Sequence, residues 1–202
     1  MNFLAAPVAT FIFVLTIATS LFGLLANRNI IDNLMLHPYS ISRGKKYYTI
    51  FGSGIVHADF NHLIFNMLSF FFFAFTLEQI TGSLFFGLLY LASLIISDLP
   101  SIIKHKNNPQ YFSLGASGAI SAIIFSYILF DPLQKFYLFF IPIGIPAYIF
   151  GVLYLAYCAY AARQASDHIN HDAHFYGALS GLFLTILFHK GILSNFIQTI
   201  TG

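Results

Sequence analysis

Apolar residues run through this chain in long stretches, and the polar residues gather in short gaps between them. A membrane-spanning helix needs roughly 20 apolar residues, with ~17 a workable minimum. Six stretches come close: 6–26, 60–77, 79–97, 114–130, a helix within 136–162, and 173–188. Glu78, Asp98, the Asp131-Pro132 pair and His189-Lys190 are expected to close four of them. The uncharged run 136–162 is too long for one plain helix. Pro142 and Pro146 predict an irregular entry to it, because proline lacks the backbone donor and breaks the helical ladder. The connection 27–56 is too long for a simple turn and is expected to carry structure of its own. With no internal repeat and no low-complexity tract, residues 1–202 read as a single domain.

Composition sharpens this picture. Hydrophobic residues make up 58% of the 202 positions and charged residues 8%, against about 25% charged in a soluble domain. So few charges cannot clothe a water-facing surface, and the bilayer is the expected solvent. A net charge of +2 gives no footprint for nucleic acid. Cys158 stands alone, so no internal disulfide is possible. The N-terminal MNFLAAPVATF has no basic region before its apolar run, and reads as a retained first span rather than a cleaved signal.

Certain polar residues sit at the starts of alternate spans: His57, His62 and Asn66 near the second, Ser117 at the fourth, His174 at the sixth. Each pair of starts is two crossings apart, so with six spans all three face one side of the membrane. His62 and Asn66, four apart, share a helix face. Gly177 and Gly181 form a small-xxx-small pair that permits close helix approach, and Gly115 and Gly118 are expected to offer the same on the fourth span. Such closeness would bring Ser117 to His174.

The chemistry of that set is coherent. A serine hydroxyl becomes a nucleophile when a base takes its proton, and a neutral imidazole suits the task. An oxyanion then needs donors. Free amides of the first turn of the fourth span, the Asn66 amide and the His62 ring are candidates. Taken singly, Ser117 reads as a residue bonded to its own helix, Asn66 as an interhelical hydrogen-bonder, and the glycines as packing residues; the combination points to catalysis. Ser53 in FGSG (51–54) is expected to mark a turn. Asp172, two positions before His174, should point elsewhere. A metal set from His168, His171 and His174, which His57, Asp59 and His62 could complete, is disfavoured: H-E-x-x-H is absent and a constant spacing of three drifts around a helix. No metal or other cofactor is required.

These residues resemble the rhomboid family of intramembrane serine proteases. GASGA (115–119) is similar to its G-x-S-G motif, AHFYGALSG (173–181) to A-H-x-x-G-x-x-x-G, and HLIFNM (62–67) to H-x-x-x-N. His57 stands where an upstream histidine is usual, and LEQITG (77–82) is similar to the acidic-glycine connection after the second span. The ordered set covers about residues 46 to 188. The resemblance implies an all-α membrane protein, a six-transmembrane-helix rhomboid-like bundle. It implies a Ser117–His174 dyad, with His62, Asn66 and the Ser117 backbone N–H holding the oxyanion. Substrates would be single-pass membrane proteins, entering laterally past the fifth span and the 163–172 loop, while the 27–56 connection would lie partly in the outer leaflet.

The chain departs from that pattern in places. It has no tryptophan for the usual Trp-Arg pair of the first loop, where GKKYY (44–48) stands instead. The aromatic residue common four positions after the nucleophile is Ser121 here. The family orientation implies a site opening outward from a bacterial inner membrane. The basic residues argue the reverse: Arg28, Arg43, Lys45, Lys46, Lys104, Lys106 and Arg163 would lie outside and only Lys135 and Lys190 inside. Two rival functions fit the same composition, a catalytically inactive relative that binds membrane-protein clients and a small transporter using the histidines as a proton path.

Overall fold

The structure is a computed structural model, and it describes residues 3–137, 143–164 and 169–202. Among these, helices occupy all six apolar stretches: α1 (Pro7–Leu25), α5 (Phe60–Thr81), α6 (Ser83–His105), α7 (Ser117–Phe130), α8 (Ala147–Gln164) and α9 (His171–Phe188). The long first connection holds three short helices, α2 (Arg28–Leu34), α3 (Pro38–Ile41) and α4 (Thr49–Gly52). A helix not anticipated from the sequence, α10 (Ile192–Thr201), follows α9 at an angle of 110°. Gly191, at φ +84°, makes that corner.

By length and apolarity alone, α1, α5 and α6 each suffice to cross a bilayer, and α9 reaches that measure only together with α10. Helix α8 has 18 residues, but its tyrosines, Arg163 and Gln164 dilute its apolar character. Helix α7 has only 14 residues, about 21 Å at 1.5 Å per residue, well short of a ~30 Å hydrocarbon core. Ten of those 14 residues are buried, so protein rather than lipid surrounds it. Side chains such as Phe11, Phe72, Val152 and Phe183 are exposed on the outer helices, as a lipid-facing surface requires.

Two charges expected to close spans do not. The α5 helix runs through Glu78, which is 1% exposed. Its carboxylate accepts from the Val8 and Ala9 amides at 3.1 and 2.6 Å and from the Ser83 hydroxyl at 2.6 Å. It thereby satisfies orphan donors in the first turn of α1, where the helix dipole favours an anion. Asp98 lies inside α6 and is 9% exposed. The third helix therefore begins at Ser83 and ends at His105, later than the 79–97 stretch, with Gly82 (φ +83°) forming the tight link from α5.

The irregular entry to the fifth helix is a small hairpin. Strand β1 (Lys135–Tyr137) pairs antiparallel with β2 (Gly144–Pro146), Phe136 opposite Ile145. Pro146 ends β2 just before α8 begins, and Pro142 lies outside the described residues. Among the described residues, strand structure is confined to this hairpin and one isolated bridge between Leu36 and Ser113.

Around the central α7 the helices meet in two ways. On one side α1, α5 and α6 join through rings: Phe70 lies 6.1 Å from Phe13, 6.4 Å from Phe86 and 6.1 Å from Tyr90. On the other, α7, α6 and α9 meet through small residues. A side chain at Gly177 would strike the Gly118 backbone, and one at Gly181 the Ala122 backbone. Hydroxyls lace this seam: Ser180 donates to Ser93 at 2.9 Å and Thr185 to Ser126 at 2.6 Å. In lipid there is little hydrophobic gain from helix contact, so close packing and interhelical hydrogen bonds hold such seams.

Candidate active site

The starts of α5, α7 and α9 open onto one cavity of about 1010 Å³. His62 and Asn66, Ser117, and His171 with His174 all line it. The shared facing expected from span parity is therefore present among the described residues. A short central helix suits such a cavity, since its 14 residues cover less length than the 22 of α5 and the 23 of α6.

Ser117 is the first residue of α7 and is half-buried. The first-turn amides of a helix have no intrahelical acceptor, so they present donors and a positive dipole end beside its hydroxyl. The loop before it is clamped from the first connection. Leu36 and Ser113 exchange backbone hydrogen bonds at 2.8 and 3.2 Å, and the Gly115 amide donates to the Ser53 carbonyl at 2.8 Å. Ser53 is thus a structural residue in a 3-10 turn, its hydroxyl donating to Ile50 at 3.3 Å.

Gly115 differs from its expected part in helix packing. It precedes α7, adopts φ +110°, and a side chain there would lie 2.6 Å from the His62 ring. It gives room to an imidazole rather than to a helix. Gly118, within α7, faces Ser97 of α6, and its would-be Cβ lies 3.3 Å from the Ala173 carbonyl. Gly118 follows Ser117 and Ala173 precedes His174, so the close seam brings the two helix starts together.

On α5, Asp59 caps the helix by accepting from the His62 amide at 2.8 Å. The Asn66 amide nitrogen donates to the His62 carbonyl at 3.0 Å. That bond uses one N–H and leaves the second for the cavity. His57 is fully buried, 3.0 Å from the Ser20 hydroxyl through Nδ1, with its ring edge-on to His62 at 4.8 Å. Burial, and then the neighbouring His62, push its pKa down to about 3 against an opposing pull from Asp59. A neutral His57 therefore ties α1 to the His62 wall.

Two residues that position the site, Tyr154 and Asn170, and two that merely lie beside it, Asp98 and Cys158, carried no clear signal in the sequence. Tyr154 of α8 lies nearly parallel to His174, rings 6.4 Å apart and 14° between planes, and its hydroxyl is 2.9 Å from the Ser121 hydroxyl. The aromatic partner missing at position 121 thus comes from a neighbouring helix, with Ser121 anchoring it. Asn170 caps α9 by accepting from Ala173 at 3.1 Å, and donates to Ser101 at 2.8 Å and Ser113 at 3.3 Å. Its N-cap residue type was readable; its reach to α6 and to the Ser117 loop was not. Asp98 borders the cavity with one carboxylate oxygen lacking a hydrogen-bond partner among the described residues. Cys158, on α8, is fully buried near His171 and His174. Asp172, as expected, turns aside, forming an ion pair with Lys104 at 3.1 Å. His168 lies outside the described residues.

Residues 44–191 match the family profile of the Rhomboid domain. The chain belongs to the rhomboid family. It is 30% identical over 184 residues to the Bacillus subtilis (strain 168) protein named "Putative rhomboid protease YdcA", a match covering 90% of this chain and 88% of that one. It is 26% identical over 176 residues to the Arabidopsis thaliana "RHOMBOID-like protein 12, mitochondrial", covering 79% of this chain and 52% of that one. The chain thus spans about half the length of the plant relative. Membership and the long apolar helices together make it an integral membrane protein.

Proposed function

We propose that this rhomboid protein is an intramembrane serine endopeptidase that cuts membrane-anchored proteins within or beside their spanning helix. The observation that carries the reading is the convergence of Ser117, His174, His62 and Asn66 on one cavity at the start of α7. In this reading, His174 takes the proton of the Ser117 hydroxyl as its oxygen attacks the peptide carbonyl. The Ser117 amide, the second Asn66 N–H and the His62 ring receive the developing oxyanion. His174 then returns the proton to the leaving amine, and water arriving through the cavity releases the acyl group by the same route. Neither a metal nor a carboxylate is needed.

A spanning substrate helix shields its own carbonyls, so cleavage requires a locally unwound segment. Single-pass membrane proteins are the natural class. Helix α8 rests at the edge of the bundle against α9 and is the side from which such a segment would enter. The proposed setting is a six-span bundle in a bacterial inner membrane with the cavity opening outward. Two of the basic residues that argue otherwise are engaged within the protein: Lys104 with Asp172, and Arg43 with the Tyr39 and Lys106 carbonyls at 3.0 and 2.9 Å.

A fluorophosphonate probe tests the reading. Labelling at Ser117, lost in Ser117→Ala and strongly reduced in His174→Ala, together with cleavage of a member of a single-span substrate panel, is the expected result. Folded protein that neither labels nor cleaves any panel member would instead leave an inactive client-binding relative.

A further inference from the structure

We propose that Cys158, His171 and His174 form a zinc site, and that zinc bound there switches the enzyme off. The three side chains come from two helices: Cys158 from α8, the two histidines from the first turn of α9. Their ligand atoms all lie within 4.8 Å of one another. His171 and His174, three apart, share a helix face. Their rings are 6.1 Å apart at 77°, so two imidazoles approach one point from different directions. Cys158 is fully buried and His171 is 3% exposed, which sets a thiol and an imidazole together in the protein interior.

The donor set selects the metal. Thiolate with imidazole favours Zn²⁺ among abundant divalent ions, whereas Mg²⁺ and Ca²⁺ prefer oxygen. Zinc bonds of ~2.3 Å to sulfur and ~2.05 Å to nitrogen place tetrahedral donors about 3.5 Å apart. Side-chain rotations of roughly an ångström would close the set around an ion. Three protein ligands leave the fourth position to water. On binding, the Cys158 thiol gives its proton to solvent as the sulfur–zinc bond forms, and each histidine binds through a neutral ring nitrogen. An entry path exists, because His171 and His174 both line the aqueous cavity. Tyr154, one turn from Cys158 on the same helix and with its ring nearly parallel to His174, walls the set from outside the ligands.

The consequence follows from His174 being shared. An imidazole whose nitrogen is bonded to zinc cannot accept the Ser117 proton, so occupancy and turnover exclude each other. This inhibitory half rests on the hydrolase reading above; the binding half does not.

Full-length protein in detergent, stripped with chelator, is titrated with Zn²⁺ by equilibrium dialysis, and with Co²⁺ as a coloured substitute. The expected result is one equivalent of zinc and a thiolate-to-cobalt charge-transfer band. Cys158→Ala and His171→Asn should each weaken binding by more than the roughly 10–100-fold typical of an outer-shell loss. Cys158→Ala should keep cleavage in chelator while losing inhibition by zinc. Binding that is absent, or unchanged in Cys158→Ala with unaltered thermal stability, overturns the site. Tight binding that leaves cleavage intact overturns the switch. Binding of one zinc by a chain that never cleaves upholds the site and counts against the protease reading instead.

Discussion

The two sides of the central helix are built from opposite materials. Where α1, α5 and α6 meet, bulky rings fill the space: Phe13, Phe70, Phe75 and Phe86 lie edge-on or offset at 5.8 to 6.4 Å. Where α7 meets α6 and α9, glycine and serine bring backbones nearly into contact. A ring-filled interface can relax when one ring shrinks, because neighbouring side chains have rotamers to explore. A backbone seam has no such slack. The candidate site stands on the rigid seam, which suits chemistry requiring a serine and an imidazole held to fractions of an ångström.

Four outcomes test that contrast. Gly181→Leu should have the largest effect, because the new side chain meets the Ala122 backbone; overpacking usually costs ~1–3 kcal/mol, and backbone that cannot move should raise this until little folded protein is recovered. Size-exclusion yield checks it, and a well-behaved variant would mean that the seam yields. Phe70→Ala, in the ring-filled half, should cost about 3 kcal/mol yet leave fluorophosphonate labelling of the surviving folded protein unchanged. Labelling lost in step with Phe70 would show that the two halves are not separable.

The third outcome concerns His57, which joins the halves. Its ring is neutral in the fold, with a pKa of about 3, whereas an unfolded histidine titrates near ~6.5. Between those values the unfolded chain binds the extra proton. Stability from this group is therefore complete above pH ~6.5 and is lost progressively as pH falls towards 3. Thermal melts from neutral pH downward should show that slope, and His57→Phe should flatten it. An identical slope in the variant would assign the effect elsewhere. The smallest change is expected for Tyr154→Phe. It keeps the ring beside His174 and deletes the bond to Ser121, so turnover should fall a few-fold, consistent with a net hydrogen bond worth about 1 kcal/mol, while Tyr154→Ala should fall further. Equal losses in the two variants would mean that the ring contributes nothing.

The apolar helices and the order of the motifs were legible because hydropathy and helical spacing are local properties. So was the small-residue seam, since Gly177 and Gly181 repeat on one helix face. Glu78 and Asp98 look like span ends in sequence, because a charge in an apolar run usually marks water; a carboxylate whose partners are the Val8 and Ala9 amides is indistinguishable in sequence from one that is solvated. Gly115 is ambiguous for a related reason: its spacing from Gly118 suggests a helix face, but the helix begins only at Ser117.

By itself the chain determined that it would live in a bilayer, where its helices would fall, and which serine and histidines would start on one side. Those properties depend on neighbours within a turn or two and on the number of crossings. Only the tertiary structure decided that Tyr154 would stand in for an aromatic absent from α7, that Asn170 would bind three elements together, and that Cys158 would lie beside His171 and His174. Such contacts join positions 13 to 69 residues apart. They are set by how the helices rotate and settle once glycine lets two backbones touch, and no local pattern in the sequence encodes that rotation.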